Sequence, residues 1–267
     1  MKVPAFSVVI PAYNEAARLG ASLERILGFL SREDWSAEVL VVDDGSRDST
    51  PAIAGRWAAQ DPRVRLLHNP GNRGKGYSVR HGMLEARGQL LIFSDADLSS
   101  PIEEAKKLVA AIRAGADVAI GSRWKRPELM TQRQPLLRQV AGRLYNLTLR
   151  VVLGLRFNDT QCGMKAFTRP AALQIFSRQR IERWGFDPEL LYLARRLRMR
   201  TVEVPVEWAH DDRSKINPLV DGMKMLTEAL RVRWYGISGG YRKPEGLEAI
   251  DGQASLAAEK SGNCVIG

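Results

Sequence analysis

Cysteine and histidine are scarce in this chain, with two of the first and three of the second among 267 residues. Cys162 and Cys264 build neither a disulfide framework nor a zinc site by themselves. The compartment expected from that scarcity is reducing and cytoplasmic. His68, His81 and His210 lie far apart in sequence and form no ligand cluster. Long apolar runs are also missing: no stretch reaches the roughly 18 uninterrupted residues that a spanning helix needs. Met1 to Pro4 leads straight into a strand-like run, so no secretory leader is expected. The final Cys264-Val-Ile-Gly ends in Gly rather than a usual prenylation-box residue, and reads as part of a tail. A dinucleotide fingerprint is absent as well. Gly71, Gly74 and Gly76 have the wrong spacing and do not open the first βα turn, which argues against an NAD-linked oxidoreductase.

Acidic residues are the minority charge, 30 against 40 basic, for a formal net charge of +10. That balance suits an anionic partner: nucleic acid, an acidic membrane surface or a phosphorylated substrate. At 45% hydrophobic and 26% charged, the chain has ordinary globular composition and can bury a core.

The first 122 residues alternate between strand and helix patterns. Phe6–Pro11, Glu38–Val42, Val64–His68, Gln89–Phe93 and Asp117–Gly121 read as strands, short apolar runs bounded by turn residues. Between them, Glu15–Leu30, a segment opened by Ser49-Thr50-Pro51, Tyr77–Ala86 and a segment opened by Ser100-Pro101 read as helices. Repeated βα units with nearly continuous apolar strands predict an α/β fold whose parallel sheet is covered on both faces. Pro135–Leu155 and Pro218–Trp234 read as further helices, and Thr201–Trp208 as a half-exposed strand. One domain over residues 1–237 and a disordered tail over 238–267 is the simplest organisation.

In such sheets ligands bind at the carboxyl ends of the strands. The loops expected there are Pro11-Ala12-Tyr13-Asn14-Glu15, Asp43-Asp44-Gly45-Ser46, Asp95-Ala96-Asp97 and Gly121-Ser122-Arg123. Adjacent carboxylates repel unless a cation or a hydrogen-bonding ligand lies between them. Asp95 and Asp97, two apart after a buried strand, present hard oxygens suited to Mg²⁺ or Mn²⁺ shared with substrate phosphates. Arg213-Ser214-Lys215, after the strand over Thr201–Trp208, reads as an exposed basic loop. Cys162 is expected to be a buried small apolar side chain.

These blocks, in this order, resemble the family 2 glycosyltransferases of GT-A fold. The resemblance covers about Phe6 to Trp234 and includes Val9–Glu15, Val41–Ser46, Asn72-Arg73-Gly74-Lys75-Gly76, Ser94–Asp97 and Gly121–Arg123. Asp159-Thr160-Gln161-Cys162-Gly163-Met164-Lys165-Ala166-Phe167 is most similar to the dolichyl-phosphate β-glucosyltransferases within that family. The resemblance implies a single nucleotide-binding, Rossmann-like domain with a mostly parallel central sheet and helices on both faces, and a nucleotide-sugar donor. It implies that Pro11, Tyr13, Glu15, Asp43 and Asp44 hold the base and ribose, with Lys75, Asp95 and Ala96 also lining the donor site. Asp95 and Asp97 would hold the metal, although Ser99 stands where related mannosyltransferases carry a Gln ligand. Asp97, Arg123, Arg213 and Lys215 would stabilise charge on the departing diphosphate.

The reaction so implied is inverting transfer of glucose from UDP-glucose to a polyprenyl or dolichyl phosphate. Alternatives are a GDP-mannose-dependent mannosyltransferase and a family member with a soluble acceptor. An anionic acceptor needs no strong base; a hydroxyl acceptor would, and Asp159 is then the candidate. A lipid acceptor also implies contact with the cytoplasmic membrane face. The amphipathic stretch Pro135–Leu155, carrying Arg138, Arg143 and Arg150, is the expected contact. A nucleic-acid partner is not expected, because no recognised motif is present and the basic residues are scattered.

Overall fold

A computed structural model describes residues 3–132, 136–209 and 218–242. Nine strands and eight helices are set among them. In chain order they are β1 (Phe6–Ala12), α1 (Leu19–Arg32), β2 (Ala37–Asp43), α2 (Thr50–Gln60), β3 (Val64–His68), α3 (Lys75–Glu85) and β4 (Leu90–Ser94). Next come α4 (Ala105–Arg113), β5 (Val118–Ser122), β6 (Met130–Gln132), α5 (Leu136–Leu153), β7 (Met164–Thr168) and α6 (Arg169–Phe176). The chain continues through α7 (Phe186–Arg196), β8 (Thr201–Pro205), β9 (Trp208–Ala209) and α8 (Pro218–Ser238).

Seven strands form one sheet in the order β3-β2-β1-β4-β7-β5-β8. Every neighbouring pair is parallel except those made by β7, which runs antiparallel to both β4 and β5. Strands β6 and β9 pair separately. All seven residues of β1 and of β2 are buried, as sequences without polar alternation require of strands covered on both faces. Alternation then divides them. Val8, Ile10, Val39 and Val41 face the core under α1, α2 and α4. Val9, Leu40 and Val42 face the other core, under α3 and α5 to α8. Each fully buried Val or Ile here contributes about 1.5–3 kcal/mol.

Three sequence expectations change. Helix α1 begins at Leu19 rather than Glu15, because the amides of Asn14, Glu15 and Ala16 donate across to Ser46, Thr50 and Asp48. The half-exposed strand over Thr201–Trp208 breaks after Pro205 into β8 and β9. Helix α8 runs to Ser238, and beyond it Tyr241 is buried with its hydroxyl donating to Glu189 at 2.7 Å. Residues 238–242 are therefore folded, and 243–267 lie outside the described residues. The sheet is mostly parallel, as expected, with β7 the antiparallel strand in its middle.

Candidate active site

The ends of β1, β2, β4 and β5 lie along one edge of the sheet, as parallel topology dictates. Antiparallel β7 starts at that same edge, which brings the segment Asp159–Gly163 there too.

At the end of β4, Asp95 Oδ1 stands 2.5 Å from Lys75 Nζ at the start of α3. Charge and a side-chain hydrogen bond join the pair. Burial opposes the Lys75 ammonium, but the charges of Asp95 and Asp187 outweigh it and raise its pKa. Asp97 accepts from the Ser99 amide at 2.9 Å and lies 3.9 Å from Arg18 Nη1. Arg18 in turn holds both carboxylate oxygens of Glu15. Burial, and then the charge of Asp95, push the Asp97 carboxyl above its ordinary range. This tension between carboxylates fits a divalent cation, which would relieve it.

No group of three or more His, Cys, Asp or Glu suited to a metal occurs among the described residues. Two carboxylates still fit Mg²⁺ or Mn²⁺, which take remaining oxygens from phosphate and water. Ser99 serves Asp97 through its backbone amide. Ala96 is a buried spacer whose carbonyl accepts from Ser22 at 2.6 Å.

The two carboxylates ending β2 have separate duties. Asp44 accepts from Asn69 Nδ2 at 2.7 Å, the Arg73 amide at 3.0 Å and the Gly74 amide at 2.8 Å. Asp44 thereby also folds the loop that presents Lys75. Asp43 accepts from the Ser46 amide and lies 3.5 Å from His68 Nδ1, keeping capacity for a ligand. Pro11 is buried in β1, and Tyr13 is half-buried immediately after it. His81 Nδ1 is bonded to Asn69, a structural contact.

Arg123, after β5, meets Asp159 through Nε at 2.6 Å and Nη2 at 2.8 Å, while its amide donates to the same carboxylate. Burial would raise the Asp159 pKa, but the charge and hydrogen bonds of Arg123 hold it below the usual range. Only 1% exposed and fully engaged, Asp159 is not the free base that a hydroxyl acceptor would require. Cys162 is buried, and its burial pushes the thiol pKa up, so it is the packed side chain expected. Arg213, Lys215 and His210 lie outside the described residues.

Sequence reasoning overlooked several residues at this edge. Lys165, in mid-strand β7, is 0% exposed, with Nζ 2.5 Å from Asp187 Oδ1 and 2.8 Å from the Cys162 carbonyl. Arg18 joins Asp97 from the first turn before α1. Trp184 places its ring 5.6 Å from Lys75 Nζ. The alternation that reveals core positions carries no trace of these pairings, although the run Trp184-Gly185-Phe186-Asp187 offers an aromatic, a turn and a charge together.

Several known proteins are similar to this chain. A dolichyl-phosphate beta-glucosyltransferase of Drosophila melanogaster is 37% identical over 88% of this chain and 76% of its own. One from Trichomonas vaginalis is 35% identical over 86% of this chain and 71% of its own, and the Homo sapiens protein of that name is 32% identical over 88% and 77%. Among solved structures, glucosyl-3-phosphoglycerate synthase from Mycobacterium tuberculosis with uridine diphosphate superposes with a TM-score of 0.65. That pair shares 21% identity over 86% of this chain and 80% of the other, a likeness of fold. Another structure of that synthase, holding Mn²⁺, uridine diphosphate and glucosyl-3-phosphoglycerate, gives 0.62 at 20% identity over 91% and 82%. The architecture is the GT-A fold expected from the sequence. The profile described as Glycosyl transferase family 2 matches residues 7–176, nearly all of β1 through α6. Those are the strands whose ends build the crevice, and the chain belongs to glycosyl transferase family 2.

Proposed function

We propose that this glycosyltransferase moves glucose from UDP-glucose onto a polyprenyl (dolichyl) phosphate, with inversion at the anomeric carbon. The observation that carries the reading is the Arg123–Asp159 pair. The carboxylate that a hydroxyl acceptor would call on as a base is already engaged by Arg123. A phosphate acceptor arrives already ionised and needs none. The names of relatives aligned over 85–88% of the chain support the same acceptor and sugar.

Asp95 and Asp97 would hold Mg²⁺ or Mn²⁺ with the donor diphosphate. The cation would supply Lewis-acid neutralisation of the charge that builds on the leaving group. Lys75, 2.5 Å from Asp95, is poised to meet a phosphate oxygen as the carboxylate engages. Tyr13, Asp43 and Asp44, with Pro11 beneath, would receive the base and ribose. Glu15 would act with Arg18, which already grips it. Arg123 is a fixed cation near the diphosphate, its charge partly offset by Asp159. Arg213 and Lys215 are retained as phosphate ligands on the basic loop.

A lipid acceptor requires approach to a membrane surface. No helix among the described residues is long and apolar enough to cross one. Helix α5 exposes Leu144, Leu147 and Val151, and α8, packed on α5, exposes Leu230, Trp234 and Ile237. Arg143 and Arg150 are exposed on α5, and 136–153 contains no carboxylate, a pattern suited to anionic headgroups.

The test is a donor screen. UDP-glucose, UDP-GlcNAc and GDP-mannose, each labelled in the sugar, are offered with a short polyprenyl phosphate and Mn²⁺. Labelled lipid from UDP-glucose is expected. Preferential transfer from GDP-mannose, or transfer only to a soluble hydroxyl acceptor, would refute the reading.

A further inference from the structure

Trp184 is among the few large apolar side chains left open to solvent, at 37% exposure. The backbone on either side of it, in contrast, is tightly held. The Tyr77 amide donates to the Glu182 carbonyl at 2.9 Å, and Gln179 Nε2 donates to the carbonyls of Ile181 and Gly76, each at 2.9 Å. Buried Glu189 accepts from the amides of Arg180 and Ile181, and Glu228 of α8 accepts from Gly185 at 2.7 Å. The fit against α3 is close. A Cβ on Gly74, whose φ is +109°, would stand 2.6 Å from the Glu182 carbonyl oxygen. Three helices thus clamp a short segment that ends in an exposed indole.

That indole stands over chemistry already placed at the donor site. Its ring centroid is 5.6 Å from Lys75 Nζ, which is 2.5 Å from Asp95 Oδ1. Asp187, three residues after Trp184, acts electrostatically on the same ammonium. A rigid aromatic beside a cation–carboxylate pair costs little ordering entropy when a ligand covers it. Glucose suits such a face. Its hydroxyls at carbons 2, 3 and 4 are equatorial, leaving axial C–H bonds to rest on an aromatic ring while the hydroxyls reach the charged groups alongside.

We propose that Trp184 forms the wall of a hexose subsite, against which the glucosyl unit of the donor stacks. The proposal rests on the reading of the crevice as a nucleotide-sugar site, and extends it to the part of the ligand that is transferred. Trp184 contacts the sugar; the nucleotide and diphosphate are held elsewhere, by the groups at the ends of β1, β2 and β4.

Equilibrium titration of the full chain with UDP and with UDP-glucose, both with Mn²⁺, separates the two parts. Trp184→Leu keeps apolar bulk and removes the aromatic face. It should weaken UDP-glucose about five- to tenfold, the scale of an aromatic contact, while UDP affinity stays within about twofold. Trp184→Phe should restore UDP-glucose binding to within about threefold of wild type. Equal losses for both ligands in Trp184→Leu would reduce Trp184 to a structural role and overturn the subsite. Unchanged affinity for both would overturn it too. Wild-type protein that bound neither ligand would instead refute the nucleotide-sugar reading, and the subsite with it.

Discussion

The carboxylate of Asp95 fills the space where a side chain on residue 163 would stand: a Cβ on Gly163 would lie 2.1 Å from Asp95 Oδ2. The start of β7 thus sets the position of the acid that ends β4. Gly163→Ala should displace Asp95 from Lys75 without disturbing the buried strands. Misplacement of about 1 Å costs roughly a hundredfold in rate. Steady-state kinetics should report a loss of that order with an unchanged circular dichroism spectrum. Full activity would show that Asp95 can shift freely.

Asp97 carries the metal expectation and a stability signature of opposite sign. Burial and Asp95 raise its pKa, so the folded state binds that proton more tightly than the unfolded chain. Its stability contribution is therefore present at low pH and lost as pH rises through the raised value. At neutral pH Asp97→Asn should hold or raise Tm while removing most transfer. Mn²⁺ should raise Tm of the wild type and not of the variant, because a ligand that binds only the folded state stabilises it. Undiminished turnover in the variant, or in excess EDTA, would defeat the metal role.

Glu189 provides a pH test away from the crevice. Burial pushes its pKa up to about 7 from an ordinary 4.5, against hydrogen bonds from Tyr241, Ile181 and Arg180 that lower it. The stabilisation tied to its proton is complete below about 4.5 and disappears as pH rises through about 7. Wild-type Tm should decline between about pH 5 and 8, and Glu189→Gln should flatten that slope. Parallel slopes in the two proteins would contradict the assignment.

Much of the first half of the fold was legible because β1, β2 and β4 each contain a run of at least four consecutive apolar residues. Strand β7 was not, because Lys165 interrupts its pattern with a charge. Asp187, 22 residues later, cancels that charge inside the core, a pairing that local periodicity cannot reveal. The site was legible to the same degree. Strand-end acids marked the edge, and Asp95 does meet Lys75 there. Asp43 and Asp44, identical in sequence terms, diverge because only Asp44 faces Asn69 and the Gly74 amide. Trp184 belonged to a stretch with no strand or helix signal, and only the fold brings it to Lys75.

Membrane approach makes a prediction for α5. The chain should float with vesicles containing phosphatidylserine at low salt, and release as salt screens the surface charge. Arg143→Gln with Arg150→Gln should weaken that recovery. Equal recovery with neutral and anionic vesicles at every salt concentration would contradict the electrostatic contribution. No recovery with any lipid would remove α5 and α8 as a lipid-facing surface.

The most direct measurement is the anomeric configuration of the lipid product, read by proton NMR after incubation with UDP-glucose, polyprenyl phosphate and Mn²⁺. UDP-glucose carries an α-linked sugar, so single displacement by the acceptor phosphate yields a β-glucosyl phosphate. A β-linked glucosyl lipid is the predicted result. An α-linked product, or consumption of UDP-glucose with no glucosyl lipid formed, would contradict the account.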